Sequence, residues 1–162
     1  GELQPSRGKN TAGKKGARYI SMLRSAFVFY SVGRYDVKGK QLLKTLGKHY
    51  IIDLGFRNML LGYRDADRGH MLENIELLRR DYRVYIGKVG ETKVDFVAEK
   101  PDDKLYIQVT ESMQSPETRE RELRPLRMIQ DNYEKIVLSM DRDFITSYDG
   151  IKSLNLMDWL LT

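Results

Sequence analysis

The stretch that most constrains the fold lies between Gly69 and Thr110, where a helix-like spacing is followed by three strand-like runs. In its first part, the apolar side chains recur at steps of three, three and four residues. This spacing places them in one stripe on a helix. The pattern therefore predicts a helix over 69–81, with an apolar stripe formed by Leu72, Ile75 and Leu78 that continues to Tyr82 just beyond it.

The second part of this stretch predicts a three-stranded meander. The runs 83–88, 93–100 and 105–110 are rich in β-branched and aromatic residues, and turn-forming residues separate them. Such short connections favour antiparallel neighbours. A further helix is predicted over 115–130, because Ser115-Pro116-Glu117 combines a capping residue with proline at the first helical position. A buried strand over 135–140 would then join the sheet through a crossover, beside a parallel neighbour.

Asp95 is unusual because it is an acid in the middle of a predicted apolar strand. Side chains alternate along a strand, so Asp95 is expected on the face opposite Val94 and Phe96. On the next strand, the same alternation separates Ile107 and Val109 from Gln108 and Thr110. If the apolar sets share one face of the sheet, Asp95, Gln108 and Thr110 lie together on the other face.

A helical Glu73, a mid-strand Asp95 and Gln108 on the following strand resemble the layout of PD-(D/E)XK nucleases. The resemblance extends from about 19 to 162 and is closest to the uncharacterised C-terminal domain of bacterial and archaeal AAA-type ATPases. The motifs that carry it are Arg34-Tyr35-Asp36-Val37-Lys38-Gly39-Lys40, Tyr50-Ile51-Ile52-Asp53-Leu54-Gly55-Phe56-Arg57-Asn58, Gly69-His70-Met71-Leu72-Glu73-Asn74, Val94-Asp95-Phe96-Val97 and Tyr106-Ile107-Gln108-Val109-Thr110. It implies an α/β fold with an αβββαβ core.

The same resemblance implies a metal site in which Glu73, Asp95 and Gln108 offer oxygen atoms to Mg²⁺ or Mn²⁺. In such nucleases the cation activates water and stabilises charge on the scissile phosphate. Thr110 occupies the position of the nuclease lysine, and Lys93, two residues from Asp95, is the candidate substitute. We therefore expect cleavage to be lost or weak, with Glu73, Asp95, Gln108 and Lys93 as the candidate catalytic set.

The charges are unevenly distributed along the chain. Residues 1–48 carry eleven Lys and Arg against two acids, a balance of +9, whereas the remainder carries seventeen against twenty-one, a balance of −4; together they give the net +5. This asymmetry is typical of nucleic-acid-binding regions and also of solvated basic tails. Arg34, Lys38 and Lys40, in a predicted basic turn, are the candidate nucleic-acid-binding residues.

Three regions are expected along the chain: a basic disordered tail over 1–18, a helix–hairpin segment over 19–65 that resembles a winged-helix remnant, and a nuclease-like α/β domain over 66–162. Within the tail, Gly8–Lys15 approaches the phosphate-binding P-loop pattern. However, Lys15 replaces the hydroxyl that would bind magnesium, and no buried strand precedes the loop. We therefore expect neither nucleotide binding nor ATPase activity.

Two functional classes stay open. The chain is either a nucleic-acid-binding accessory domain with a degenerate metal site, or a structural domain that binds an ATPase module or another partner protein. An active metal-dependent nuclease is a third alternative. The absence of cysteine excludes disulfides and cysteine-based zinc sites and is typical of the reducing cytoplasm. A sequence without a membrane-length apolar run or a signal-peptide core also favours a cytoplasmic location without membrane partners.

Overall fold

The computed structural model describes residues 8–51, 53, 55–56, 59, 62, 82–142 and 145–161. Eight strands form one sheet in the order β2-β1-β3-β4-β5-β6-β8-β7. The strands are β1 (Phe29–Asp36), β2 (Gln41–Ile51), β3 (Arg83–Val89), β4 (Thr92–Lys100), β5 (Asp103–Val109), β6 (Glu134–Ser139), β7 (Ser147–Tyr148) and β8 (Ile151–Asn155). The helices are α1 (Gly8–Ser25), α2 (Pro116–Arg127) and α3 (Leu156–Leu160).

The predicted meander and crossover are confirmed. β3, β4 and β5 pair as antiparallel neighbours. β6 then lies parallel to β5, and α2 connects the two strands. Ser115 caps α2 by accepting a hydrogen bond from the Thr118 N–H, as the sequence predicts. The predicted helix over 69–81, with Glu73 and His70, lies outside the described residues.

The hairpin of β1 and β2 belongs to the same sheet as the meander, because β1 pairs with β3 in parallel. The second strand of this hairpin is long and runs over Gln41–Ile51. The pairing of β1 with β2 changes register between Val32 and Arg34, so β2 pairs with β1 on both sides of this shift. The expected boundary between residues 65 and 66 falls outside the described residues.

The expectation of disorder is wrong for residues 8–18, which form the first part of α1. The segment contains alanine, lysine and arginine, which are good helix formers, beside glycines that each cost about 1 kcal/mol relative to alanine. Side chains 13–19 are exposed, so the helix projects from the sheet. Among the described residues, no helix has the length and apolarity required to span a bilayer.

Both faces of the sheet are buried. One face, here called the first core, packs against α3 through Leu156 and Trp159. The other, the second core, packs against α2 through Leu123 and Leu126. Glu122 also lies buried on this helix, between the sheet and solvent. The second core therefore positions the polar residues of the candidate site.

Candidate functional site

Asp95 lies in a β-bulge of β4. Tyr85 pairs with Val97 and Gly87 pairs with Val94, so β4 contains one residue more than β3 between these pairs. Val94 and Val97 both pack in the second core over Gly87, where an added Cβ would lie only 2.9 Å from Val97 and 3.0 Å from Val94. The glycine is therefore required by this bulge.

The bulge corrects one prediction about register. Phe96 and Ile107 belong to the first core, whereas Val94 belongs to the second, so Val94 and Phe96 do not share a face. The extra residue reverses the alternation at this point. Val94, Phe96 and Ile107 are nevertheless all buried, and Val109 packs against the first core.

Asp95 and Gln108 are in contact, as the sequence predicts, but they bind protein groups. The Asp95 carboxylate accepts a hydrogen bond from the Val109 N–H at 3.0 Å. Phe96 and Ile107 are the last residues at this end that pair between β4 and β5. The bond to the Asp95 carboxylate therefore links the two strands beyond their paired residues. In return, the Asp95 N–H donates to Gln108 Oε1 at 3.3 Å.

Glu122 extends this hydrogen-bonded chain and was missed by the sequence analysis. Gln108 Nε2 donates to Glu122 Oε2 at 2.8 Å, and both residues are 8% exposed. Glu122 Oε1 lies 2.7 Å from Arg121 Nη2, whose side chain is 70% exposed. A sequence signal existed, because Glu122 precedes Leu126 by four residues and therefore lies on the buried face of the helix. The pattern of alternating charges along 117–124 obscured it.

Lys93 and Thr110 occupy different surroundings. Lys93 is exposed and lines a cavity of about 580 Å³ together with Gln108, Glu122 and charged residues of α2. Thr110 is half-buried, and its hydroxyl donates to the Ser112 carbonyl oxygen at 3.4 Å. The structure thus brings Lys93 and Gln108 to one cavity, whereas the Thr110 hydroxyl bonds to the chain that follows β5.

The described part of the expected metal set is engaged by protein groups. A magnesium ligand must direct an oxygen lone pair at the ion. Gln108 Oε1 already faces a backbone N–H, and Asp95 Oδ2 accepts from another. Among the described residues, no group of three potential metal-ligating His, Cys, Asp or Glu side chains occurs. Glu73 lies outside those residues, so its part in the set stays a prediction.

The candidate nucleic-acid-binding residues are not grouped as expected. Lys38 and Lys40 lie exposed at the β1–β2 turn and line a cavity of about 400 Å³ beside Asp131. Asp36 shapes that turn by accepting the Lys38 N–H. Arg34 lies within β1 and is half-buried, with its Nε buried and without a hydrogen-bond partner among the described residues. Its neighbour in the strand, Tyr35, packs in the second core, so alternation directs Arg34 to the opposite face.

A second basic surface lies on α1, which contains five Lys and Arg and no acid. Lys14, Lys15 and Arg18 are exposed and, at 100° per residue, fall within about 100° of the helix circumference. Their spacing of one and four residues therefore produces one basic face, here called the α1 basic face (Lys14, Lys15 and Arg18). From the sequence, these charges were expected to lie in a disordered tail.

Comparison with known proteins gives one relative. A Haemophilus influenzae protein described only as an uncharacterized protein is 40% identical over 148 residues, which cover 90% of this chain and 36% of that protein. The chain thus spans about a third of the length of its relative. No protein-family profile matches the chain, and no solved structure matches it.

Proposed function

We propose that this chain is a nucleic-acid-binding accessory domain with a nuclease-like layout and a metal site that no longer supports cleavage. The observation that carries the proposal is the α1 basic face. Lysine and arginine side chains that project from a helix without acids create a local positive potential, which attracts the phosphate backbone. Lys38 and Lys40, exposed at the β1–β2 turn, would supply further phosphate contacts.

The length of α1 supports contact with several phosphates. From Lys14 to Arg24 the helix rises about 15 Å at 1.5 Å per residue. One strand of B-form DNA carries a phosphate about every 3.4 Å along the axis, so this length matches about four phosphates. Such contacts fix position without reading sequence. The proposed activity is therefore binding with low sequence preference.

The hydrogen bonds of the candidate site support the loss of cleavage. Gln108 is bonded at both ends of its amide, and one carboxylate oxygen of Asp95 is used by the backbone. Thr110 supplies no cation at the position where cleavage needs one. The residues that resemble a nuclease site hold β4, β5 and α2 together.

A structural or partner-binding domain is the second candidate function. The observation that favours it is the same internal bonding, because a site used for folding requires no substrate. Under this alternative the domain serves as a scaffold for an ATPase module or another partner protein. The two candidates differ in a single property, which is binding to nucleic acid.

The test compares two variants that lose the same charge. Fluorescence anisotropy with a labelled 20-nucleotide DNA at 50 mM salt measures binding by wild type, by Lys14→Gln/Lys15→Gln/Arg18→Gln, and by a control triple at distant exposed sites. The control substitutes glutamine at Arg83, Arg142 and Lys152. We expect the α1 triple to lose at least about tenfold in affinity, because three phosphate contacts are removed, and the control to lose much less. Equal weakening in both triples, or no binding by wild type, would contradict the proposal.

A further inference from the structure

The C-terminal end of α1 holds an aromatic residue in a backbone conformation that favours glycine. Two hydrogen bonds close the helix there, from the Phe27 N–H to the Arg24 carbonyl and from the Val28 N–H to the Leu23 carbonyl. This pattern requires the residue before Val28 to adopt the left-handed backbone conformation. That residue is Phe27, whose φ is 55°. Glycine is usual at such a position, because a bulky side chain is strained there.

Phe27 is 81% exposed, so burial of its side chain does not offset this strain. A strained aromatic that contributes nothing to the core points to a role outside folding. The position of its neighbours indicates what that role is.

A cavity of about 530 Å³ lies between the end of α1 and the start of β1. Three aromatic residues, Phe27, Phe29 and Tyr30, line it together with the basic residue Arg24. Three serines line it as well, at Ser21, Ser25 and Ser31. Tyr30 is held in place by stacking on Tyr50, with ring centroids 6.0 Å apart. The cavity thus combines flat apolar surfaces, a positive charge and small hydrogen-bonding groups.

We propose that this cavity binds an unpaired base of single-stranded nucleic acid, with Phe27 as the stacking platform and Arg24 at the adjacent phosphate. The inference rests on the proposed nucleic-acid-binding function and adds the substrate class. Every base has a π-face that stacks on an aromatic ring without sequence preference. Bases of a duplex are already stacked inside the helix, so they cannot reach the ring. The α1 basic face continues from this cavity along the helix and meets the flanking phosphates.

The experiment uses the full chain, a labelled 15-nucleotide single strand and the matching duplex. Phe27→Ala and Phe27→Gly should weaken single-strand binding by at least about fivefold, which is the lower end of measured stacking losses. Both should bind the duplex within twofold of wild type. Tyr133→Ala, at an aromatic residue that is 46% exposed and immediately precedes β6, serves as control and should bind both ligands as wild type does.

Two further readouts separate function from folding. Phe27→Gly should raise the melting temperature, because glycine adopts positive φ without strain, while binding of the single strand falls. Phe27→Trp should bind at least as tightly as wild type, and the single strand should quench the fluorescence of the introduced indole. A variant that is more stable yet binds less tightly excludes damage to the fold.

The outcomes distinguish this inference from the proposed function. If Phe27→Ala and Phe27→Gly bind single strands as wild type does, while the α1 triple variant does not, the stacking site is wrong and the proposed function survives. Equal loss of duplex binding would also overturn the stacking site. If wild type binds neither ligand, the proposed function fails. Tighter binding to vesicles that contain anionic phospholipid than to the single strand would assign the surface to a membrane and overturn the proposal.

Discussion

Substitution of Gln108 by leucine tests whether the candidate site acts as an internal connection. The change keeps a side chain of similar size but removes both hydrogen bonds of the amide. The bond to the Glu122 carboxylate is charge-assisted and contributes about 1.5–3 kcal/mol, whereas the longer bond from the Asp95 N–H contributes about 0.5–1.5 kcal/mol. Because Arg121 still neutralises Glu122, we expect a total loss of about 2–4 kcal/mol in the free energy of unfolding.

The measurement is urea unfolding followed by circular dichroism at 25 °C. Gln114→Leu is the matched control, because Gln114 is exposed and its substitution should change stability by no more than about 0.5 kcal/mol. A double-mutant cycle with Glu122→Leu isolates the bond between the two side chains. Removing both side chains leaves neither partner of their mutual bond unpaired, and the loss of the acceptor for the Asp95 N–H is common to the single and double variants of Gln108, so the double variant should lose less than the sum of the single variants. Additive losses, or a Gln108→Leu variant as stable as wild type, would refute the reasoning.

Three further predictions concern the chemistry of the chain. Addition of ATP and Mg²⁺ should leave the melting temperature unchanged, because Gly8–Lys15 is helical and forms no phosphate-binding loop; a concentration-dependent rise would show nucleotide binding. In Mn²⁺, wild type and Asp95→Ala should cleave neither DNA nor RNA, and Thr110→Lys should change activity more than stability; brisk wild-type cleavage that Asp95→Ala abolishes would restore the nuclease assignment. Burial and the hydrogen bond to Asp131 raise the pKa of the Tyr106 phenol, so the native state keeps a proton that the unfolded chain releases above about pH 10. Stability should therefore be complete below that pH and fall as the pH rises, with a shallower fall in Tyr106→Phe; identical slopes would contradict the assignment.

The parts of the fold that follow from local pattern were predictable. Short turns separate the three strands of the meander, and Ser115 followed by proline is a strong helix start. The parallel placement of β6 beside β5 followed from the helix between them, since a crossover requires a connection of that length.

The parts that depend on contacts between distant residues were not predictable. The bulge at Asp95 depends on the register of β3 against β4, which no local spacing encodes, although Gly87 marks the close approach. The burial of Glu122 depends on the amide of Gln108, fourteen residues earlier. The bond between Arg121 and Glu122, which are neighbours in sequence, likewise depends on how the helix packs.

The helix α1 was missed for a different reason. Its glycines and charges fit the composition of a disordered tail, and helix propensity was given too little weight against composition. This error also hid the α1 basic face and the end of the helix at Phe27. The residues most relevant to the proposed function therefore lay in the segment that the sequence analysis assigned to no structure.

The salt dependence of DNA binding tests the central proposal most directly. Binding of a labelled single strand is measured from 50 to 200 mM salt for wild type and for the variant that lacks the three charges of the α1 basic face. Contacts from these three residues, from Arg24 and from Lys38 and Lys40 should give wild type a slope of about −4 in log K against log salt, at about −0.7 per phosphate. The variant should bind more weakly, with a slope smaller in magnitude by about 2. An unchanged slope, or no binding by wild type at 50 mM salt, would contradict the account.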